Sequence, residues 1–300
     1  METSIIIQLK TIVLLLTAII SNYQAILGDT TPIYPSESRA VETQMIWKNM
    51  DWYTRREGQA PPAANYWKPE NAYIDASGAL HLKITKGADG TWYCAEWGSN
   101  EMFGYGDIVF TVQSPLLLDK NVVLSGYKYL DDQNELDIEV TRWGDVSAIG
   151  NAGFTVQPAP YIDTENHLRF DVSENMVNTV HTIHHYLSDI SFEISKQDGT
   201  TLKSWQATPD LYPEEKAYFV FNLWLVDAQP PSDGKPVEII ISDFKFIPMN
   251  AGDDSNTDIG KAVLDLRTEL ASQKKLTKIR TIVNGQGTLA SKINQVKVII

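Results

Sequence analysis

The sequence predicts an all-β protein, a sandwich or jelly roll, and three observations carry that expectation. Apolar or alternating runs of strand length recur from Met45 to Phe246. Turn residues punctuate them. No long segment of 3.6-residue period lies between them. The clearest runs are 79–84, 105–112, 122–124, 190–194, 217–225 and 237–246. Ala88-Asp89-Gly90, Gln197-Asp198-Gly199 and Pro230-Pro231-Ser232-Asp233-Gly234 provide the turns. Each combines an Asp, whose side chain bonds its own backbone two residues on, with a Gly free to take positive φ.

At the N-terminus, Lys10 precedes an uninterrupted apolar run from Thr11 to Ile20, followed by Ser21-Asn22-Tyr23-Gln24-Ala25. About ten residues are too few to span a hydrocarbon core of about 30 Å. The pattern is that of a secretory signal peptide over residues 1–28, cleaved near Ala25 or Gly28. Ile5 to Leu9 extend the apolar stretch across Lys10, so an uncleaved anchor is the alternative. Export, to the extracellular space or a periplasm, is the expectation. Residues 29–44, with Pro32, Pro35, Ser36 and Ser38, read as a linker, and residues 45–249 as one β-sandwich domain. Cys94 is the only cysteine, so no intrachain disulfide can form. It lies in Trp92-Tyr93-Cys94-Ala95-Glu96 and reads as a small buried hydrophobe on a strand.

Glu135-Leu136-Asp137-Ile138-Glu139-Val140 alternates carboxylate and aliphatic without a break. Two residues is the side-chain period of a β-strand, so the carboxylates share one face and the aliphatics the other. On a helix, Asp137 would point away from the two glutamates. Like charges on one strand face repel unless a metal, a shared proton or a substrate uses them. A pair of carboxylates flanking a bond is also what glycoside hydrolysis needs: one acid for the leaving oxygen, one nucleophile or base. Two other readings stay open here, a solvated outer strand and a calcium site. Calcium draws on about six to eight oxygens, and no D-x-D-x-D-G loop is present. A structural calcium ion stays open as an alternative. No cofactor or catalytic metal is expected.

Val177 to Tyr186 carries His181, His184 and His185. A helical zinc pair at i and i+4 wants a Glu between its histidines, and none is there, so the segment reads as a strand without a metal. After Asn250 the character changes. Ala251-Gly252-Asp253-Asp254-Ser255-Asn256 is a polar linker, and Ile259, Val263, Leu266 and Leu270 then fall at helical spacing. Eight Lys and Arg accompany two Asp and Glu from Ile259 onward, so residues 250–300 read as a basic, partly helical extension of unknown role.

A chain of 300 residues, 43% of them hydrophobic, can bury a core without staples. Its net charge of −13 argues against a nucleic-acid partner. A neutral polysaccharide partner needs no electrostatic attraction. Eight Trp, thirteen Tyr and nine Phe suit both a sandwich core and the flat apolar faces of pyranose rings. A monomer is expected, with no stable membrane span after signal cleavage.

Four sets of co-linear motifs resemble glycoside hydrolase family 16, the jelly-roll endo-glucanases that include lichenases and laminarinases, and their transglycosylase relatives. That family's active strand reads E-x-D-x-E, matched by Glu135, Asp137 and Glu139. Ala95-Glu96-Trp97-Gly98-Ser99 and Phe103-Gly104-Tyr105-Gly106 resemble its A/G-E-x-x-S and F-G-Y-G strand pair. Asn222-Leu223-Trp224 resembles its N-x-W strand. Asn65-Tyr66-Trp67 and the stretch from Asp75 to Leu82 resemble its opening turn and first long strand. His181-Thr182 and Ile190-Ser191-Phe192 are similar to a further strand pair of the family. The matches run in order across residues 42–249.

The resemblance implies a concanavalin-like jelly roll of two curved antiparallel sheets with a concave substrate cleft. It also implies a secreted retaining endo-β-glycanase acting on a β-1,3 or mixed-linkage β-glucan. Glu135 would be the nucleophile and Glu139 the acid/base. Asp137 would orient Glu135 and help keep Glu139 protonated. Retention needs the two carboxyls about 5–5.5 Å apart, whereas four strand residues span about 13 Å. A curved sheet would bring them together. Glu96, Trp97, Arg142, Trp143, Asn222 and Trp224 are the candidate substrate-binding residues. Two departures weaken a mixed-linkage assignment: Gln133 stands where many lichenases have Trp, and Gly98 where they often have Arg. The alternatives are a transglycosylase and a non-catalytic carbohydrate-binding or wall-associated protein on the same fold.

Overall fold

The computed structural model describes residues 39–159, 166–173, 176–186, 189–208 and 213–249. The signal segment, the linker up to residue 38 and the C-terminal extension lie outside the described residues. The chain opens with a hairpin of β1 (Arg39–Trp47) and β2 (Met50–Arg55), so pairing begins inside the stretch read as linker. Short strands β3 (Gly58–Ala60), β4 (Asn65–Trp67) and β5 (Ala72–Ile74) lead to β6 (Leu80–Lys86) and the long β7 (Trp92–Phe103). Next come β8 (Gly106–Val112), β9 (Val122–Asp131), β10 (Asn134–Val140), β11 (Ala152–Val156) and β12 (His167–Phe170). The last strands are β13 (Thr179–His185), β14 (Ile190–Lys196), β15 (Thr201–Ala207), β16 (Ala217–Leu225) and β17 (Val237–Pro248).

Two antiparallel sheets result. One runs β1-β2-β7-β16-β9-β10-β11-β12. The other runs β5-β6-β17-β8-β13-β14-β15. β7 joins them. Its first residues pair with β6 and, in parallel, with β4, while the rest belongs to the first sheet. Strands distant in sequence are neighbours in space, such as β9 beside β16, which is jelly-roll rather than meander connectivity.

Alternation decides which side chains fill the space between the sheets. In β6, Leu80, Leu82 and Ile84 are fully buried while His81 and Lys83 face outward. Aromatic rings meet across the core: Trp52 and Phe244 at 4.9 Å, Phe110 and Phe221 at 5.1 Å, Phe154 and Phe192 at 5.3 Å. Such pairs add about 0.5–1.5 kcal/mol each beyond the area they bury.

The histidine segment is strand β13, with His181 and His185 buried and His184 on the other face beside Asp107. His181 stacks on Phe110 at 4.9 Å, and burial lowers it to about 3, so it is a neutral core ring. Lys128 of β9 also points into the core. Its ammonium donates to the carbonyls of Gly104 and Glu215, each at 2.7 Å, and lies 2.9 Å from His185 Nδ1. Burial takes it down to about 7. These bonds pin β9 from below while its opposite face lines the site. Cys94 is fully buried on β7, 3.3 Å from Asn65 Oδ1, and burial pushes its thiol up to about 12.

Candidate active site

Strand register assembles the site. β10 pairs with β9 so that Asp137 lies opposite Tyr127 and Glu139 opposite Ser125. β9 in turn sets Ser125 against Asn222 and Tyr127 against Val220 of β16. β16 sets Asn222 against Glu96 and Val220 against Gly98 of β7. On the other side, β11 places Gly153 opposite Glu139 and Thr155 opposite Asp137. β12 then places Arg169 opposite Gly153 and His167 opposite Thr155. Directly paired residues share a face, so two rows cross the sheet. One is Glu96, Asn222, Ser125, Glu139, Gly153, Arg169. The other is Gly98, Val220, Tyr127, Asp137, Thr155, His167.

β10 realises the alternation in its sequence. Leu136, Ile138 and Val140 lie in the core, and the three carboxylates occupy the opposite face. Asp137 is only 4% exposed although it points away from the core, so this face is a walled recess. Burial is the largest influence on all three carboxyls and pushes each of them up. Asp137 is raised furthest, because the charges of Glu135 and Glu139 add to its burial. It is hydrogen-bonded to Glu135, which favours ionised Glu135 and protonated Asp137. Glu139 is raised less. Ser125 Oγ donates to its Oε1 at 2.9 Å, and the Arg169 guanidinium favours the carboxylate. The three groups titrate as a coupled set.

The β7 side of the recess is polar and tightly paired. Arg55 Nη1 donates to Glu96 Oε2 at 2.6 Å, and the guanidinium lies 4.6 Å from the ring centre of Trp67. Burial raises Glu96, and Arg55 opposes that shift. Asn222 Nδ2 donates to the Tyr127 hydroxyl at 3.2 Å. Tyr53 explains the glycine at position 98. It lies opposite Gly98, and a Cβ there would come within 2.4 Å of the tyrosine ring. No side chain can extend from position 98. The guanidinium beside Glu96 comes from β2 instead.

The loop after β10 supplies the other wall. Trp143, 39% exposed, meets Trp224 edge to face at 5.8 Å. Its φ of 51° is a costly conformation for a bulky residue, and the Thr141 hydroxyl accepts its N–H at 3.0 Å. Arg142 lies half-buried in the same loop. Gln133 is exposed in the β9–β10 turn and donates to the Asp132 carbonyl.

Trp97 requires correction. It is fully buried and stacks on Trp52 at 6.3 Å in the core, because β7 alternates and Glu96 and Gly98 take the recess face. It does not line the recess. Conversely, Tyr53, Arg55, Arg169 and His167 were missed by sequence reasoning, because only cross-strand register brings them in. Ser125, Tyr127 and Tyr129 did carry a signal, since they recur at every second residue of β9. Among the described residues no group of three or more His, Cys, Asp and Glu is arranged to hold a metal ion. No helix among them is long and apolar enough to cross a membrane.

Solved β-glucanases have a similar fold. The β-glucanase of Bacillus licheniformis is 14% identical at a TM-score of 0.51, covering 66% of this chain and 92% of that one. A β-1,3-1,4-glucanase (lichenase) derived from a mouse hindgut metagenome is 16% identical at a TM-score of 0.51, covering 69% and 96%. An immunostimulatory antigen and pseudo β-1,3-glucanase of Mycobacterium tuberculosis is 18% identical at a TM-score of 0.50, covering 66% and 91%. No protein-family model and no curated protein matches the sequence. The chain has the jelly-roll fold of the family 16 β-glucanases.

Proposed function

We propose that the protein is an exported, retaining endo-β-glycanase that hydrolyses internal linkages of a β-1,3 or mixed-linkage β-glucan. The observation that carries this reading is the recessed face of β10, where three carboxyls share one proton-rich surface. Glu139 gives its proton to the leaving glycosidic oxygen while Glu135 attacks the anomeric carbon, forming a glycosyl-enzyme and releasing the first sugar fragment. Glu139, now a carboxylate, takes a proton from water. That water attacks the same carbon, breaks the bond to Glu135 and completes retention of configuration. Burial raises Glu135 to about 8, and the hydrogen bond from Asp137 opposes that shift, orienting Glu135 and favouring the carboxylate that attacks. Glu96, Arg55, Asn222 and Tyr127 offer directional polar groups to sugar hydroxyls, and Trp143 with Trp224 offers aromatic faces.

A sugar hydroxyl replacing water in the second step would make the protein a transglycosylase on the same residues. The pseudo β-1,3-glucanase of the same fold favours a second reading, carbohydrate binding without turnover. Reducing-sugar release from β-1,3, β-1,3-1,4 and β-1,4 glucans and galactans separates them. Release from a β-1,3 or mixed-linkage glucan, with a β-configured first product by NMR, is the expected outcome. Binding without release from any of these glycans would move the assignment to the second reading. The export proposal predicts that the secreted form begins near residue 26, which N-terminal sequencing reads directly.

A further inference from the structure

We infer that Arg169 is a positioning residue that joins the acid/base to the outer wall of the recess: its side chain reaches over Gly153 toward Glu139, and its guanidinium straps the loop that carries Trp143. The inference rests on the assignment of Glu139 as acid/base. Arg169 and Glu139 are two strands apart, about 10 Å at the backbone. Gly153 lies between them without a side chain. A Cβ on Gly153 would sit 3.4 Å from Arg169 Nη1 and 3.5 Å from its Cδ, so the arginine lies flat across the glycine. Its Nη2 donates to the carbonyls of Thr141 at 2.8 Å and Gly150 at 2.9 Å, the two ends of the loop between β10 and β11. The same base is closed by Thr141 N–H donating to the Asn151 carbonyl at 2.8 Å. Both bonds leave from Nη2, at the far end of a side chain longer than lysine's, so the strap depends on the reach of the guanidinium.

The charge environment gives the strap a chemical role. Glu135 and Asp137 flank Glu139 on its own strand, and β9 offers neutral Ser125. β11 offers Gly153 and Thr155, and β12 offers Arg169 together with His167, whose Nδ1 lies 2.9 Å from Thr155 Oγ1. Glu96, farther along the row, is paired with Arg55. Arg169 is the cation that favours ionised Glu139. A desolvated acid among carboxylates would otherwise hold its proton too firmly to give it up. It must also act as a base in the second step, so its affinity has to lie near the working pH. The same residue that tunes this affinity fixes the loop bearing Trp143 against Trp224.

Two variants test the inference. In Arg169→Met, the Glu139 carboxyl followed by carbon-13 NMR should titrate about 1 pH unit higher than in the wild type, because a nearby cation has been removed. The alkaline limb of kcat/KM should move up with it. Arg169→Lys keeps the charge, so the titration should stay at the wild-type position while KM for the glucan rises several-fold through the loosened loop. A wild-type titration in Arg169→Met, or equal shifts in both variants, would overturn the role of the charge. An unchanged KM in Arg169→Lys would overturn the strap. Should Arg169→Met fail to fold by its melting curve, Arg169→Lys decides alone: a raised KM at an unmoved titration supports the inference, and any other result rejects it. The NMR titration needs no turnover. A wild type that releases no sugar would therefore count against the glycanase reading and leave the charge test standing.

Discussion

Two clusters built from the same residue types behave in opposite ways. On the outer face of the second sheet, His81 Nδ1 lies 2.7 Å from Glu238 Oε1 and its Nε2 lies 3.2 Å from Asp75 Oδ2. Lys83 reaches Glu238 at 3.1 Å, and Tyr73 stacks on His81 at 4.9 Å. Asp75 is held below the ordinary carboxylate range, chiefly by hydrogen bonds from Ser77 and Ala79. Burial is the largest single influence on Glu238 and raises it, but the hydrogen bonds and charges of His81 and Lys83 together outweigh it, so Glu238 is lowered too. On β10 every carboxyl is pushed up instead. Acids surrounded by donors and water are ordinary surface chemistry, whereas acids buried beside one another are held away from their preferred protonation state. Company, not composition, sets the direction in which the carboxyls of each cluster are shifted.

The largest test of that contrast is Glu135→Gln, which should lower turnover of every substrate by about four orders of magnitude or more, however good the leaving group. Glu139→Gln should cost a natural glucan about 10²–10⁴-fold, while a dinitrophenyl glycoside keeps most of its glycosylation rate. Azide should then accelerate the Glu139 variant and give a β-glycosyl azide. Rescue of the Glu135 variant in its place would reverse the two roles, and wild-type rates in both would remove catalysis from β10 altogether.

Stability should respond with opposite sign in the two clusters. A carboxyl raised in the folded state retains its proton where the unfolded chain has lost it. Stability therefore falls as pH rises from the ordinary carboxylate range through the raised folded value. Asp137→Asn removes that liability and keeps a donor toward Glu135. Its Tm at pH 8 should rise by about 3 °C while activity collapses. No gain at pH 8, or the same gain at pH 4, would break the argument. Trp143→Ala should come next, with about tenfold weaker kcat/KM on polymeric glucan from a lost aromatic face. Smallest of all, Glu238→Gln should leave kcat untouched and cost less than about 0.5 kcal/mol at pH 7. Because Glu238 is lowered in the folded state, that small loss should fade as pH falls through its folded range. A chemical-denaturation series across pH would detect it.

Much of this was legible in the sequence, and the limit has a physical reason. The strict alternation around Asp137 fixed both the strand and the face on which its carboxyls stand, because a one-residue slip would put three charges in the core. Strands β6, β8, β14, β16 and β17 were bracketed within two residues by apolar runs and turn residues. Trp97 was misplaced because it was assigned to the same face as its strand neighbour Glu96, which the period of two forbids. Arg55 and Arg169 were invisible for a different reason. Each acts through a strand tens of residues away, and register between such strands is set by the whole fold. Gly153 looked like any small residue until the arginine lying across it gave it a purpose.

Cys94 gives the molecule a built-in clock. Its thiol is fully enclosed beside Asn65 and pushed up to about 12, so a reagent in solution meets no nucleophile while β7 holds the two sheets together. The rate at which Cys94 becomes alkylated in native buffer therefore counts how often that junction opens. A cysteine introduced at Ile149, 91% exposed on the loop after β10, would take a fluorophore without background from the native thiol. One chain could then report the motion of its recess wall and the opening of its core on separate channels.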